Sequence, residues 1–133
     1  MTGPVDPVED PDRLRALDAY GVLDTARERA FDDIAQLAAR LCGTPMAQVS
    51  LVAGDRQWFK AEVGIQAREV PLSHSVCRHA LGLADGLLVI PDLAEDPRTR
   101  GNPHVTGAQP LRFHAGAPLR TPTGEVLGTV CVL

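Results

Sequence analysis

The end of the sequence holds a strand hairpin that strongly limits how this chain can fold. Residues 111–120 alternate apolar and polar side chains, the period-two pattern of a strand with one apolar and one polar face. Residues 122–124, Pro-Thr-Gly, favour a turn, and the return strand 126–133 is apolar on both faces. One face carries Val126, Val130 and Val132, and the other carries Leu127, Cys131 and Leu133. Such a strand is normally covered on both sides, so we predict it at the sheet centre, beside residues 46–52.

The length of the chain and the position of this strand bear on domain organisation. A chain of 133 residues is large enough for one domain with an ordinary core. Because a natural polypeptide seldom finishes inside a central strand, we expect one domain of a longer protein, with an output domain downstream. Residues 1–12 are rich in proline and acidic residues, which predicts a flexible lead-in, and residues 13–133 would form the domain.

Composition and charge exclude several classes of protein. A hydrophobic fraction of 44% and a charged fraction of 23% are typical of a soluble globular protein. The net charge is −4 and the basic residues are scattered singly, which disfavours nucleic acid as a partner. No apolar run approaches the roughly 20 residues that span a bilayer, so we expect no membrane contact by this domain. The three cysteines form no Cys-x-x-Cys pair, which favours reduced thiols in a cytoplasmic protein.

Two helices are predicted before the first strand. Residues 13–20 form a short one that ends at a glycine. Thr25 and Glu28 have the spacing of a capping box, which would start an amphipathic helix that ends at Gly43.

The remaining elements define the fold class. Predicted strands cover 46–52, 57–63 and 87–90, a short helix covers 75–83, and the terminal hairpin follows. Loops 64–73 and 93–110 are long, and their apolar residues favour ordered lids. The order predicts an α+β fold with a central antiparallel sheet of five to six strands. Helices would pack on one face, and lid loops and short helices on the other.

Several stretches, in register over almost the whole chain, resemble one family. They include Leu23-Asp24-Thr25, Arg56-Gln57-Trp58-Phe59-Lys60, Ser75-Val76-Cys77, Val89-Ile90-Pro91-Asp92, Asp96-Pro97-Arg98 and Arg112-Phe113-His114-Ala115-Gly116. The chain resembles the GAF domain, a PAS-related fold, in the form found in bacterial sensor histidine kinases and diguanylate cyclases. His114 departs from the family, which usually has tyrosine there.

The resemblance implies a regulatory, non-catalytic role in signal transduction, including two-component systems. A small molecule would bind on the sheet face opposite the helices and bias an equilibrium that is passed to the output domain. The resemblance leaves the ligand and any cofactor unidentified, because GAF domains share a fold while binding different molecules. A ligand-free module for homodimerisation or docking is the alternative hypothesis.

The candidate pocket lies between the sheet and the segments 64–80 and 92–110. Its predicted lining residues are Trp58, Lys60, Ser75, Cys77, Asp92, Arg112 and His114. Trp58 suits a cavity wall, although core packing is the commoner role of tryptophan.

Arg112 and His114 share one face of their strand, where the lids would cover them. A buried charge needs a partner. Either an anionic ligand or an internal salt bridge with Asp92 or Asp96 meets this need, and the sequence leaves both open.

His74, Cys77 and His79 lie close in sequence and suggest part of a metal or haem site. Three donors at one helix start are an incomplete set, and His104 and His114 join it only if the fold brings them there. We therefore predict no metal site and interpret the segment as a helix start capped by a serine, Ser73 or Ser75.

Cys77 suggests a third hypothesis, a redox enzyme, because a helix N-terminus lowers the pKa of a thiol. One GAF branch, the free methionine sulfoxide reductases, has a cysteine at a similar place. Cys42 and Cys131 do not match that branch's partner positions, so we expect no resolving thiol for Cys77. A bilin is rejected because Cys77 and His79 are not adjacent and aromatic residues are few, with one Trp, one Tyr and three Phe.

Overall fold

The computed structural model describes residues 6–83, 85–108 and 110–133, which contain a six-stranded antiparallel sheet. The strands are β1 (Ala47–Val52), β2 (Arg56–Val63), β3 (Glu69–Pro71), β4 (Leu88–Ile90), β5 (His114–Arg120) and β6 (Val126–Val132). Their order across the sheet is β3-β2-β1-β6-β5-β4. The predicted α+β class is confirmed, and so is the central position of the return strand, since β6 pairs with both β1 and β5.

Two helices, α1 (Pro11–Tyr20) and α2 (Arg29–Cys42), cover one face of this sheet. Helix α2 turns Ala35 and Ala39 toward Ala47 and Ala61 of the sheet, and these small side chains allow close packing. The last turn of α2 ends at Gly43, whose φ of 65° is the left-handed conformation that glycine adopts without strain.

The predicted capping box at the start of α2 is wrong. The Thr25 hydroxyl donates to the Val22 carbonyl instead of capping the helix. Glu28 occupies the N-cap position, and its carboxylate pairs with the ammonium group of Lys60 at 2.6 Å. Lys60, the buried cation of β2, thus binds both side chains of the expected capping box, Thr25 and Glu28.

Residues 6–12 are ordered against the core, unlike the flexible lead-in predicted for residues 1–12; residues 1–5 lie outside the described part of the chain. Val8 is buried on the sheet face opposite α2. The buried guanidinium of Arg13 donates to the carbonyls of Pro7 (2.9 Å), Val8 (3.1 Å) and Val52 (2.7 Å). Arg13 therefore joins the N-terminal segment to the end of a central strand.

The other face of the sheet is covered by residues 64–80 and 92–108, which we call the lid. The lid contains two 3-10 turns, Leu72–His74 and Cys77–Ala80, and the short helix α3 (Pro103–Thr106). The helix predicted over 75–83 is wrong, because this segment closes only i to i+3 bonds such as His79 N to Val76 O (3.1 Å).

The predicted faces of the return strand need correction at its start. Val126 packs with Cys131 on the lid side, while Leu127 packs with Leu17 on the helix side. The register shifts between β5 and β6 beside Gly128, and this irregularity reverses the alternation. Strand β5 also begins at His114, later than the predicted 111–120. Within the described ranges, no helix has the length and apolar character that crossing a bilayer requires.

Candidate functional site

A cavity of about 160 Å³ lies between the sheet and the lid. We call it the lid cavity. Its sheet side includes Gln48, Gln57, Phe59 and His114, and its lid side includes His74, Val76, Cys77 and His104. The strand alternation places these sheet residues on the face opposite α2, so the floor of the cavity is polar while its rim is mainly apolar.

A chain of hydrogen bonds fixes the polar floor. The Gln57 amide donates to the Ser50 hydroxyl at 3.0 Å, and that hydroxyl lies 3.5 Å from the Gln48 carbonyl oxygen. The Ser75 hydroxyl donates to the side-chain oxygen Oε1 of Gln57 and accepts from the backbone N–H of Arg78 at 3.1 Å. The network therefore runs from the central strand into the lid.

Cys77, Cys131 and His114 form a buried cluster beside this network. The Cys77 Sγ atom lies 3.9 Å from Cys131 Sγ and 3.6 Å from His114 Nε2. The Thr129 hydroxyl donates to Cys77 Sγ at 3.1 Å. The expectation that Cys77 has no second thiol within reach is wrong, because the central strand brings Cys131 from the far end of the sequence.

The two thiols are electrostatically unequal. The hydrogen bond from Cys131, followed by the interactions of His114 and Thr129, holds the pKa of Cys77 well below its usual range, although burial opposes this effect. The hydrogen bond to Cys77 and burial raise the pKa of Cys131. Cys77 is thus the thiol that loses its proton first.

Two histidines give the cavity unsatisfied polar atoms. His104 Nε2 and His114 Nδ1 are buried without a hydrogen-bond partner among the described residues. The His74 and His104 rings meet edge to face at 5.1 Å. Burial, followed by the charge of His74, lowers the pKa of His104, which favours its neutral form. A ligand or water that supplies a hydrogen-bond partner stabilises buried nitrogens of this kind.

The structure brings only part of the predicted site together. Ser75, Cys77 and His114 lie at the lid cavity or its hydrogen-bond network. Trp58 and Lys60 lie on the opposite, helix-covered face, so their predicted place in the pocket is wrong.

The surroundings of these two residues explain the difference. Lys60 Nζ donates to Thr25 Oγ1 (2.8 Å) and to the Ala26 carbonyl (2.6 Å). Trp58 packs in the apolar cluster under α1 and has the Arg68 guanidinium 4.9 Å from its ring centre. Both residues hold the loop before α2 and the start of the lid to the sheet.

Asp92 and Arg112 are exposed, and each forms a hydrogen bond with the backbone of the lid. Asp92 Oδ1 accepts from the backbone N–H of Ala94 at 3.0 Å, and Arg112 donates to the Val105 carbonyl at 3.1 Å. Asp96 binds Arg98 at 2.8 Å. The internal salt bridge considered for Arg112 is therefore not formed with either aspartate.

Sequence reasoning missed Gln57, Phe59 and His104 as cavity residues. The strand pattern of β2 was recognised, but its two faces were exchanged. Ala61 packs against α2 although Phe59, two residues before it, lines the lid cavity, because the register with β1 shifts opposite Lys60; simple alternation therefore assigns the wrong face.

The sheet, the helices on one face and the lid cavity on the other define an α+β domain in which one sheet face is packed against helices and the other is covered by a lid. The family model for the GAF domain matches residues 26–133, and the chain belongs to this family.

A cyclic di-GMP phosphodiesterase from Pseudomonas aeruginosa is 37% identical over all 133 residues of the chain. The chain spans 22% of the length of that curated relative.

Solved structures share the fold at low identity. The GAF domain of a phosphoenolpyruvate-protein phosphotransferase from Coxiella burnetii has a TM-score of 0.62 and 12% identity, covering 96% of this chain and 79% of that one. The free methionine-R-sulfoxide reductase from Neisseria meningitidis has a TM-score of 0.60 and 16% identity, covering 99% and 77%.

Proposed function

We propose that this chain is a non-catalytic sensory GAF domain of a bacterial signal-transduction protein. It binds a small molecule in the lid cavity and relays binding to an output domain. The observation that carries this proposal is a partly open cavity whose wall includes two histidines with unpartnered buried nitrogens. The similarity to a cyclic di-GMP phosphodiesterase adds cyclic di-GMP turnover to the candidate outputs, beside histidine kinase and diguanylate cyclase types.

The cavity volume limits the ligand. A volume of about 160 Å³ is close to the engineered cavity of about 150 Å³ that holds one benzene molecule. The proposed ligand is therefore a compact molecule of about ten non-hydrogen atoms or fewer with a hydrogen-bonding group for the histidines. Haem, bilins and dinucleotides are too large to lie wholly inside this space.

Native mass spectrometry of the freshly purified chain tests the proposal. We expect an added mass of a small molecule, and we expect Ala67→Phe to remove it, because Ala67 lines the cavity. Ala117→Leu, a similar enlargement at an exposed position of β5, should keep it. An added mass that survives Ala67→Phe would place the ligand elsewhere.

A second candidate function, self-association, is favoured by the outer face of α2. Ile34, Leu37 and Leu41 are 46%, 57% and 77% exposed and follow the spacing of one helix stripe. Two copies of the chain could bury these stripes against each other. Analytical ultracentrifugation of Leu37→Lys should then show a weaker dimer than the wild-type chain. Leu87→Lys, at a residue 62% exposed away from α2, is the control and should change nothing.

The redox-enzyme hypothesis has its own test. We expect free methionine sulfoxide to remain unchanged after incubation with the domain and a thiol reductant. Reduction that depends on Cys77 would make the domain catalytic and overturn the non-catalytic part of the proposal.

A further inference from the structure

Three buried residues bring possible metal-ligand atoms close together inside the protein: Cys77, His114 and Cys131. One residue comes from a lid turn, one from β5 and one from β6, and all three are buried. Their ligand atoms all lie within 4.8 Å of one another. Two thiolates and an imidazole are the donor set of catalytic-type zinc sites with three protein ligands.

The two distances from Cys77 match the edges of a coordination tetrahedron. With zinc–sulfur bonds of about 2.3 Å and zinc–nitrogen bonds of about 2.0–2.1 Å, the sulfur–sulfur edge is about 3.8 Å and the sulfur–nitrogen edge about 3.6 Å. The observed distances from Cys77 Sγ are 3.9 Å to Cys131 Sγ and 3.6 Å to His114 Nε2. The third pair, Cys131 Sγ and the His114 ligand nitrogen, lies within 4.8 Å and closes to about 3.6 Å when zinc binds.

We infer that Cys77, Cys131 and His114 Nε2 form a zinc-binding site with one open coordination position. The two proposals are tested by different readouts: the zinc site by thiolate-to-cobalt absorption, and the small-molecule site by the Ala67→Phe variant, so either can fail without the other. The histidine is the donor that the family resemblance would not supply, since tyrosine usually stands at this position.

Zinc binding at this site is an exchange of protons for a cation. In the metal-free pair Cys77 Sγ lies 3.9 Å from Cys131 Sγ, within hydrogen-bonding distance for two sulfur atoms. When Zn²⁺ binds, both sulfurs coordinate as thiolates, any remaining thiol protons pass to solvent, and no electron is transferred. The cation then replaces the hydrogen bond that holds the two sulfurs together.

The surroundings support one of the two sulfur ligands and set the direction of the open position. Thr129 donates to Cys77 Sγ at 3.1 Å, which stabilises this sulfur as a thiolate, whereas Cys131 Sγ donates to Gln48 Oε1 at 3.5 Å and gives up this bond when it coordinates zinc. Cys77 and His114 also line the lid cavity, so the fourth position faces it. Water or a small anionic or thiol ligand would occupy that position.

Gly116 makes room for the imidazole. A Cβ atom at this residue would lie 3.0 Å from His114 Cε1 and 3.4 Å from Cys131 Cβ. Gly116→Ala would therefore displace the side chains of His114 and Cys131 without removing any of the three metal-ligand atoms. Gly116 is a positioning residue for the proposed site.

Cobalt substitution tests the site directly. The reduced chain is titrated with Co²⁺ and then with Zn²⁺. We expect one equivalent of Co²⁺ to produce thiolate-to-cobalt charge-transfer absorption and tetrahedral ligand-field bands, which one equivalent of Zn²⁺ removes. If the wild-type chain gives no thiolate-to-cobalt absorption, the site does not exist.

Variants then assign the ligands. Loss of a supporting residue typically weakens metal binding by roughly 10–100-fold, and we expect an effect in that range from Gly116→Ala. Loss of a ligand should weaken zinc binding by more than that, and this is expected for each of Cys77→Ser, Cys131→Ser and His114→Gln. Cys42→Ser, at the exposed cysteine, should leave the affinity unchanged. Circular dichroism establishes that each variant is folded. Undiminished binding in folded His114→Gln, or loss of binding in Cys42→Ser, would overturn the assignment.

Discussion

The side-chain amide oxygen of Gln57 in β2, Oε1, accepts a hydrogen bond from the hydroxyl of Ser75 in the lid. Both side chains are buried, and the backbone N–H of Arg78 donates to the same hydroxyl. This contact joins the floor of the lid cavity to its cover. A ligand that competes for Gln57 would release Ser75, so the proposed signal can begin as a change in how the lid is held.

Removing this contact should loosen the lid. Ser75→Ala leaves the buried Gln57 oxygen unpaired, and we expect a loss of about 1–3 kcal/mol in the free energy of unfolding. Urea denaturation measures the loss, and hydrogen exchange should rise most strongly in the turn Cys77–Ala80. Ser73→Ala, at an exposed serine of the same segment, is the control and should be nearly neutral. Equal effects from the two variants would contradict this role.

Replacing Lys60 should damage stability and leave ligand binding intact. Lys60→Met removes the bonds to Thr25 and the Ala26 carbonyl and the ion pair with Glu28. We expect a loss of about 2 kcal/mol in the free energy of unfolding, because bonds to a charged donor disappear. Arg29→Met, at a side chain 94% exposed, is the control and should cost almost nothing. If the Lys60→Met chain were as stable as the wild type but bound the small molecule more weakly, Lys60 would belong to the ligand site and this account would be contradicted.

Gly128 should tolerate no side chain. A Cβ atom there would lie 1.9 Å from the Ser50 carbonyl oxygen and 2.8 Å from Leu51 Cα, both in the backbone of β1. Gly128→Ala forces the central pair of strands apart, and we expect about 3 kcal/mol or more of destabilisation in thermal or urea unfolding. Gly101→Ala, where a Cβ would meet nothing within 4 Å, should change stability little. Similar stabilities for the two variants would mean that β1 and β6 are not packed this closely.

The Asp96–Arg98 contact in the lid should be visible in an acid titration. Hydrogen bonds from the Arg98 side chain and backbone lower the pKa of Asp96 from 3.8 to about 2. Because the folded-state pKa is the lower one, the contact adds stability above pH 3.8, and this contribution is lost as the pH falls toward 2. NMR titration of the carboxyl carbon measures the value. Arg98→Gln should return it toward 3.8, and an unchanged pKa in that variant would assign the shift to another cause.

The large elements could be predicted because their patterns are local. The apolar return strand, the hairpin of β1 and β2 and the helix-before-sheet order all follow from periodicity and turn residues. The face assignments failed where the register shifts, beside Gly128 in β6 and between Val49 and Ser50 of β1, opposite Lys60. An irregularity of one residue exchanges the two faces of a strand and leaves its sequence pattern almost unchanged.

The site depended on contacts that no local pattern contains. Cys77 and Cys131 are 54 residues apart in sequence, and they meet because β6 lies in the sheet centre beneath the lid. Lys60 is held by a loop 34 and 35 residues before it, which a strand pattern cannot indicate. His114 was found because a histidine on the covered face of a strand is chemically conspicuous.

The most direct test of the account is an NMR titration of the labelled chain with the small-molecule fraction of a bacterial extract. We predict that the imidazole signals of His104 and His114 shift and saturate, because these rings line the lid cavity and have unpartnered nitrogens. In the same titration Ala67→Phe should show no such shifts. Unchanged imidazole signals in the wild-type chain, or equal shifts in Ala67→Phe, would contradict a ligand site in the lid cavity.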